Sequence, residues 1–202
     1  THVIRIIEGI FHGFAVMSVG VGFGELIRRN TRVSTEDRLA EAMRELSQAL
    51  LGEPDEQDGL RRTVEVAMTA VGATGATIYM HDADAGVLRF TRAIGASPTG
   101  TPADALGLIG ESLAPGEGIA GTVFQTGESL IVNDASSDPR HLNRIDEYMG
   151  METRNMVTVP VDRLDGTRMG VLQVLNRRDG DFTDEDVTIL RALVQVLATP
   201  SP

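Results

Sequence analysis

Apolar residues recur at helical spacing in three stretches of this chain and alternate with other residues between them. Leu39, Ala42, Met43, Leu46 and Leu50 repeat every three or four positions, which predicts an amphipathic helix. Ser34 precedes it as an N-cap, and Asp37 three residues later completes a capping-box pattern. Gly52-Glu-Pro-Asp55 ends that helix, and Leu60, Val64, Ala67, Met68 and Val71 predict a second from Glu56 to about Val71. A last helix is expected from Thr183 to Ala198, where Thr183 and Asp186 repeat the capping pattern. Its stripe of Val187, Leu190, Val194 and Leu197 is widened by Ile189, Leu193 and Val196. So broad a stripe predicts contact with a sheet and with a further surface, such as that of a second copy.

Between the helices the period changes to two. Thr77–Met80 and Val87–Thr91 read as a hairpin around the turn His81–Gly86. Ser129–Val132 is a short strand, and Asn155–Val161 and Met169–Leu175 are the strongest strands, paired across Asp165-Gly166. Residues 95–107, rich in Gly, Ala, Pro and Thr, read as a mobile loop, with a short strand near Leu108–Leu113. Gly118–Gln125 and Pro139–Met149 read as short helical excursions, Asp138 serving as N-cap ahead of Pro139. Antiparallel strands with helices at both ends predict an α+β fold.

Composition narrows the chemistry. A chain of 202 residues holds one domain with an appendage or two small domains. It has no cysteine, which removes disulfides, thiolate metal sites and a cysteine nucleophile. It has no lysine either, which removes Schiff-base chemistry and a P-loop lysine; the all-arginine usage fits a GC-rich genome. His2, His12, His81 and His141 stand apart from one another, so no metal cluster is expected. Gly116, Gly118 and Gly121 match a dinucleotide-binding spacing, but Pro115 precedes them and no βαβ unit surrounds them; they read as a tight entry turn. No catalytic set emerges, and the expectation is a protein that is not an enzyme. The net charge of −11 argues against nucleic acid as a partner.

Residues 1–33 differ from the rest. They hold four arginines against two glutamates and are apolar and glycine-rich. Gly9 with Gly13 and Gly20 with Gly24 have the spacing that lets helices approach closely in lipid, and Arg28-Arg29 follow as at a membrane edge. The run from Ile10 to Gly24, with His12 inside it, is shorter than the ~20 residues a span needs. Two readings fit: a helix buried against a partner subunit, and a segment that contacts a membrane.

The succession from Pro115 to Asn176 carries a resemblance. It reads Pro115-Gly-Glu-Gly-Ile-Ala-Gly121, Thr126-Gly-Glu128, Leu130-Ile-Val132, Asn133-Asp134 and Asp138-Pro139-Arg140. Thr153-Arg-Asn-Met-Val-Thr-Val-Pro160-Val161 and Met169-Gly-Val-Leu-Gln-Val-Leu-Asn176 complete it. It resembles the GAF domain, a ligand-sensing and dimerising module of signalling proteins, over about residues 34–198. That leaves 1–33 as an N-terminal segment and 199–202 as a tail. The resemblance implies a six-stranded antiparallel sheet in the order 3-2-1-6-5-4. The terminal helices would share one face, and short helices would roof a ligand pocket on the other.

By the same resemblance, Phe124, Asp134, Arg140, His141, Arg154 and Asn155 are candidate ligand-binding residues, with Arg154 favoured for an anionic group. The resemblance does not name the ligand: a cyclic nucleotide, another phosphate or carboxylate held by Arg140 and Arg154, and haem with His141 as a ligand to its iron all stay open. Asn176-Arg177, Phe182 and Asp186 resemble the Asn-Lys…Phe-xxx-Asp-Glu signature of cyclic-nucleotide-binding members. Arg177 takes the lysine position, Val187 replaces the glutamate, and Arg177 with Asp186 is the implied structural pair. The absence of cysteine excludes thioether attachment of a bilin and the thiol chemistry of members that reduce methionine sulfoxide. The resulting expectation is a cytoplasmic, bacterial, homo-oligomeric regulatory module in signal transduction, sensing a small molecule and acting on a separate output protein. The alternative is a scaffold with an empty pocket, assembled or membrane-tethered through residues 1–33.

Overall fold

The computed structural model describes residues 34–50, 56–96, 102–104, 111–144, 146 and 152–197. Expectations for 1–33, 199–202, the link Gly52–Asp55 and Tyr148 lie outside the described residues. Helix α1 spans Thr35–Leu50. Its cap is reciprocal: Asp37 N donates to Ser34 Oγ at 3.1 Å, and Ser34 N donates to Asp37 Oδ2 at 3.3 Å. Helix α2 spans Glu56–Ala70. Strands β1 (Ala73–Asp82) and β2 (Val87–Ala96) form a hairpin, followed by β3 (Pro102–Asp104) and β4 (Ser112–Leu113). Then come helix α3 (Gly118–Thr126), strand β5 (Leu130–Val132) and a single 3-10 turn at Ala135–Ser137. Strands β6 (Met156–Asp162) and β7 (Arg168–Arg177) and helix α4 (Asp184–Leu197) complete the fold.

The strands pair in the order β3-β2-β1-β7-β6-β5, all antiparallel, with β4 also paired to β2. This is the implied order, with the outermost of six positions shared by two short strands. The difference from the sequence reading lies in residues 95–107. There β2 continues to Ala96, so Ile94, Gly95 and Ala96 can pair with Asp104, Ala103 and Pro102. Pairing with an existing strand orders a segment whose own composition favours a loop. The β6–β7 connection is likewise longer than a two-residue turn. Arg163 N donates to the Thr167 carbonyl, and Asp165 Oδ1 accepts from Thr167 N.

Alternation along the strands separates two apolar layers. On one face Ile78, Val157, Val159, Leu172 and Val174 meet residues of all three long helices, including Leu46, Val64 and Leu193. On the other face Tyr79 and Val171 meet Ala120 and Val123 of α3. Part of the broad stripe of α4 is taken up within the chain: Ile189, Leu190, Leu193 and Val194 are buried, Val187 and Val196 are partly buried, and α4 packs on both β6 and α2. No helix among the described residues is long and apolar enough to cross a membrane.

Candidate functional site

The sheet face turned away from the long helices is not uniformly apolar. Strand parity places Thr77 and Tyr79 of β1, Gln173 and Leu175 of β7, and Met156 and Thr158 of β6 on it. Thr77 is 4% exposed, Gln173 9% and Thr158 fully buried. Gln173 Nε2 donates to Thr158 Oγ1 and to Met156 Sδ, both at 3.1 Å. Buried polar groups carry a desolvation cost unless bonded, so their presence in the middle of three paired strands is a specific feature of this face.

Helix α3 covers that floor with Ile119 and Ala120. Its start is fixed by Glu117, whose Oε2 accepts from Ala114 N at 2.9 Å and whose Oε1 accepts from Arg144 at 2.7 Å. Gly121 allows the close turn before the helix; a Cβ there would lie 2.5 Å from the Ala114 carbonyl oxygen. At the other end Arg168 donates to the Phe124 carbonyl at 2.7 Å while pairing with Asp162, a cation placed at the negative end of the helix.

The side wall is held by Asp146. Its Oδ1 accepts from Thr153 Oγ1 at 2.6 Å, and its Oδ2 accepts from Thr153 N at 2.7 Å and faces His141 Nε2 at 3.1 Å. Arg140 completes the rim. Its Nε and Nη2 donate to Asp138 Oδ1 and Oδ2 at 2.9 and 2.6 Å. Asp138 also accepts from Arg140 N, closing a local turn at Pro139-Arg140 where the sequence predicted an N-cap. Helical backbone begins only at Asn143. Floor, roof and wall border a partly open cavity of about 40 Å³. That is far below the roughly 300–1,000 Å³ of a site for a drug-sized ligand.

The electrostatics follow from burial and pairing. Burial pushes the Tyr79 hydroxyl well above its ordinary value, so it stays a neutral donor. The bond from Ala114 N, then Arg144, holds the Glu117 carboxyl below its usual 4.5. A depressed folded-state value means that Glu117 anchors α3 in full above pH 4.5, and that the anchoring is lost as pH falls through the lower, folded-state value. The expected outcome is a loss of hydrogen-exchange protection in α3, corrected for intrinsic rates, on acidification below pH 4.5. In Glu117→Gln this acid-dependent step should be diminished; an unchanged step would contradict the anchoring role.

Of the residues the sequence singled out, Arg140 and His141 line the cavity. Phe124 is half-buried outside it, its ring 4.7 Å from that of His81. Asp134 is exposed and accepts from Ser136 and Ser137 hydroxyls, capping the 3-10 turn. Arg154 is exposed, and its guanidinium donates to the Arg177 carbonyl at 3.2 Å rather than facing the cavity. Asn155 is buried, accepting from Arg177 N and donating to the Gly180 carbonyl. Arg177 pairs with Asp186, which also takes Arg38 from α1 at 2.8 Å and Thr183 N at 2.9 Å. Sequence reasoning missed Thr77, Tyr79, Asp146, Thr153 and Gln173. Thr77 and Gln173 carried a signal, since each shares a strand with apolar neighbours of opposite parity that face the core.

Haem does not fit these residues. The cavity is too small, and His141 Nε2 already faces Asp146. Among the described residues, no group of three or more acidic or histidine side chains is placed to hold a metal ion.

Comparison with known proteins places this architecture. The GAF domain family model matches residues 53–199. A dual 3',5'-cyclic-AMP and -GMP phosphodiesterase 11A of Takifugu rubripes is 34% identical over 85 residues, which are 41% of this chain and 9% of that protein. The chain spans about a tenth or less of the length of the curated relatives it matches. Among solved structures, the GAF domain of a phosphoenolpyruvate-protein phosphotransferase from Coxiella burnetii superposes with a TM-score of 0.66 at 20% identity, over 80% of this chain and 90% of that one. The corresponding Acinetobacter domain gives 0.62 at 22% identity, over 81% and 90%. With a family model covering most of its length and the sheet order that the resemblance implied, this chain belongs to the GAF domain family, regulatory modules of signalling proteins.

Proposed function

We propose that this domain is a non-catalytic sensor that takes a small molecule into the cavity under α3 and passes its occupancy to the terminal helices. The observation that carries this reading is the set of buried polar side chains, Thr77, Thr153 and Gln173, around a partly open cavity that Ile119, Ala120 and Leu175 also line. A domain that needed only a packed core gains nothing from desolvating them. A continuous set of bonds leads away from the cavity. Thr153 forms its wall; the next residue, Arg154, donates through its backbone N to Asn176 Oδ1 at 2.8 Å. Arg177 follows Asn176 and meets Asp186, which holds Arg38 of α1. A ligand that prefers one position of the wall would bias that network. Pairing of copies through the terminal helices and action on a separate output protein belong to the same proposal.

The small cavity favours a second reading, a scaffold whose pocket is vestigial. The two separate in Ala120→Phe, since Ala120 is buried in the ceiling and a phenyl ring would occupy the space. With the small-molecule fraction of a cell extract, the unmodified protein is expected to melt higher and Ala120→Phe to be unresponsive. If neither responds and Ala120→Phe is simply more stable, the cavity is a packing void and the scaffold reading stands.

A further inference from the structure

The cations around the cavity are already committed. Arg140 is the sole arginine among the described lining residues, and its guanidinium is turned onto Asp138 with two bonds at 2.9 and 2.6 Å. Arg144 pairs with Glu117 at 2.7 Å. Arg154 lies on the outer side, against the Arg177 carbonyl. The remaining charged lining group is a carboxylate, Asp146, with His141 facing it. An entering phosphate would therefore meet one half-exposed guanidinium whose fork is filled, and the Asp146 carboxylate in the same lining. Seating an anion there means breaking a bidentate pair and leaving the Asp138 carboxylate, 12% exposed, without its cation.

Building on the ligand-site reading, we infer that Asp138 screens this cavity against anions, so that its ligand is an uncharged polar molecule rather than a phosphate or a carboxylate. Asp138 does this without lining the cavity itself. It stands in the shallow groove beside it, where Arg140 lines both hollows. The groups left to recognise a neutral ligand are the Tyr79 hydroxyl and Thr77, each able to donate or accept a hydrogen bond, and the side-chain oxygen of Gln173, an acceptor whose amide nitrogen is held by Thr158 and Met156. Discrimination comes here from a charge that rejects the competitor as much as from contacts to the favoured ligand. The pairing also depresses the Asp138 carboxyl below its ordinary value, in keeping with a pair that stays ionised.

The test is a thermal melt of the full chain and of Asp138→Asn with inorganic phosphate and with cGMP, each at millimolar concentration. Asparagine keeps the oxygen that accepts from Arg140 N and Nε but removes the charge and the second oxygen, freeing Arg140 Nη2 for an anion. The unmodified protein is expected to show no rise with either probe. Asp138→Asn should gain a rise of about 2–4 °C with phosphate, and Asp138→Asn with Arg140→Gln should lose it again. Asp138→Ser serves as a second variant if the asparagine form melts poorly on its own. A rise in the unmodified protein with phosphate or cGMP would overturn the screening role while leaving the ligand-site reading intact. Failure of both Asp138 variants to gain an anion response would overturn it as well. Failure of the ligand-site reading itself shows elsewhere, in the behaviour of Ala120→Phe.

Discussion

Gly170→Ala is expected to cost most of the stability of the domain. Gly170 sits in β7, paired with Met80 of β1 on one side and Val161 of β6 on the other. A Cβ built there collides with the Tyr79 carbonyl oxygen, and lies 3.0 Å from the Tyr79 carbonyl carbon and 3.1 Å from Met80 Cα. Every obstructing atom is backbone of a central strand, so no side chain can swing aside. Relief requires prising β1 from β7, beneath which most of the larger core lies. The expected loss is roughly 3–5 kcal/mol, at the far end of single substitutions and comparable to the whole stability of a weak domain. Gly166→Ala is the control. Gly166 has φ 85° but nothing within 4 Å of a Cβ, so only backbone strain of about 1 kcal/mol applies. Urea denaturation of both variants decides the matter. Equal midpoints would show that the β1–β7 approach is looser than described.

The second large effect is expected at Asp186. Its carboxylate is fully buried and holds three elements at once: Arg38 of α1, Arg177 at the end of β7, and Thr183 N and Oγ1 ahead of α4. Removing one partner of a buried ion pair costs about 3–5 kcal/mol because the remaining charge stays desolvated. Here Arg38 and Arg177 are each about a fifth exposed and can recover some water, which lowers the expectation for Asp186→Ala to roughly 2–4 kcal/mol. A double-mutant cycle with Arg38→Met should give a coupling well above that of an exposed pair, and hydrogen exchange should rise in α1. A loss under about 0.5 kcal/mol would mean that the network is dispensable.

What was legible in the sequence was what is local. The Ser34–Asp37 cap, the stripes of the long helices and the alternation of β6 and β7 are set by spacing along the chain. Strands β3 and β4 were only half visible, because Pro102–Asp104 has no alternation of its own and is ordered by pairing with β2. The Arg177–Asp186 pair entered through resemblance; the third member, Arg38, lies 148 positions away and left no mark in the motif. Of the candidates that the resemblance supplied, Arg140 and His141 line the cavity, and Phe124, Asp134, Arg154 and Asn155 do not. Arg140 and Asp138 bond two positions apart, which turns a cation expected to face a ligand onto its own chain. Asn155 and Asn176 use their side chains on each other's backbone surroundings, where Asn176 adopts φ 56°, and this clasp withdraws Asn155 from any ligand. Gln173, by contrast, was open to strand parity. Leu172 and Val174 face the helices, so position 173 had to face the cavity.

Native mass spectrometry of the purified protein beside Ala120→Phe reads the occupancy of the cavity under α3 without any assumption about the ligand. The unmodified chain is expected to retain a small neutral molecule in one-to-one ratio to protein, and Ala120→Phe, still cooperatively folded, to retain none. A chain that carries nothing after exposure to cell extract, or an Ala120→Phe form that carries the same mass, would contradict a ligand site beneath α3.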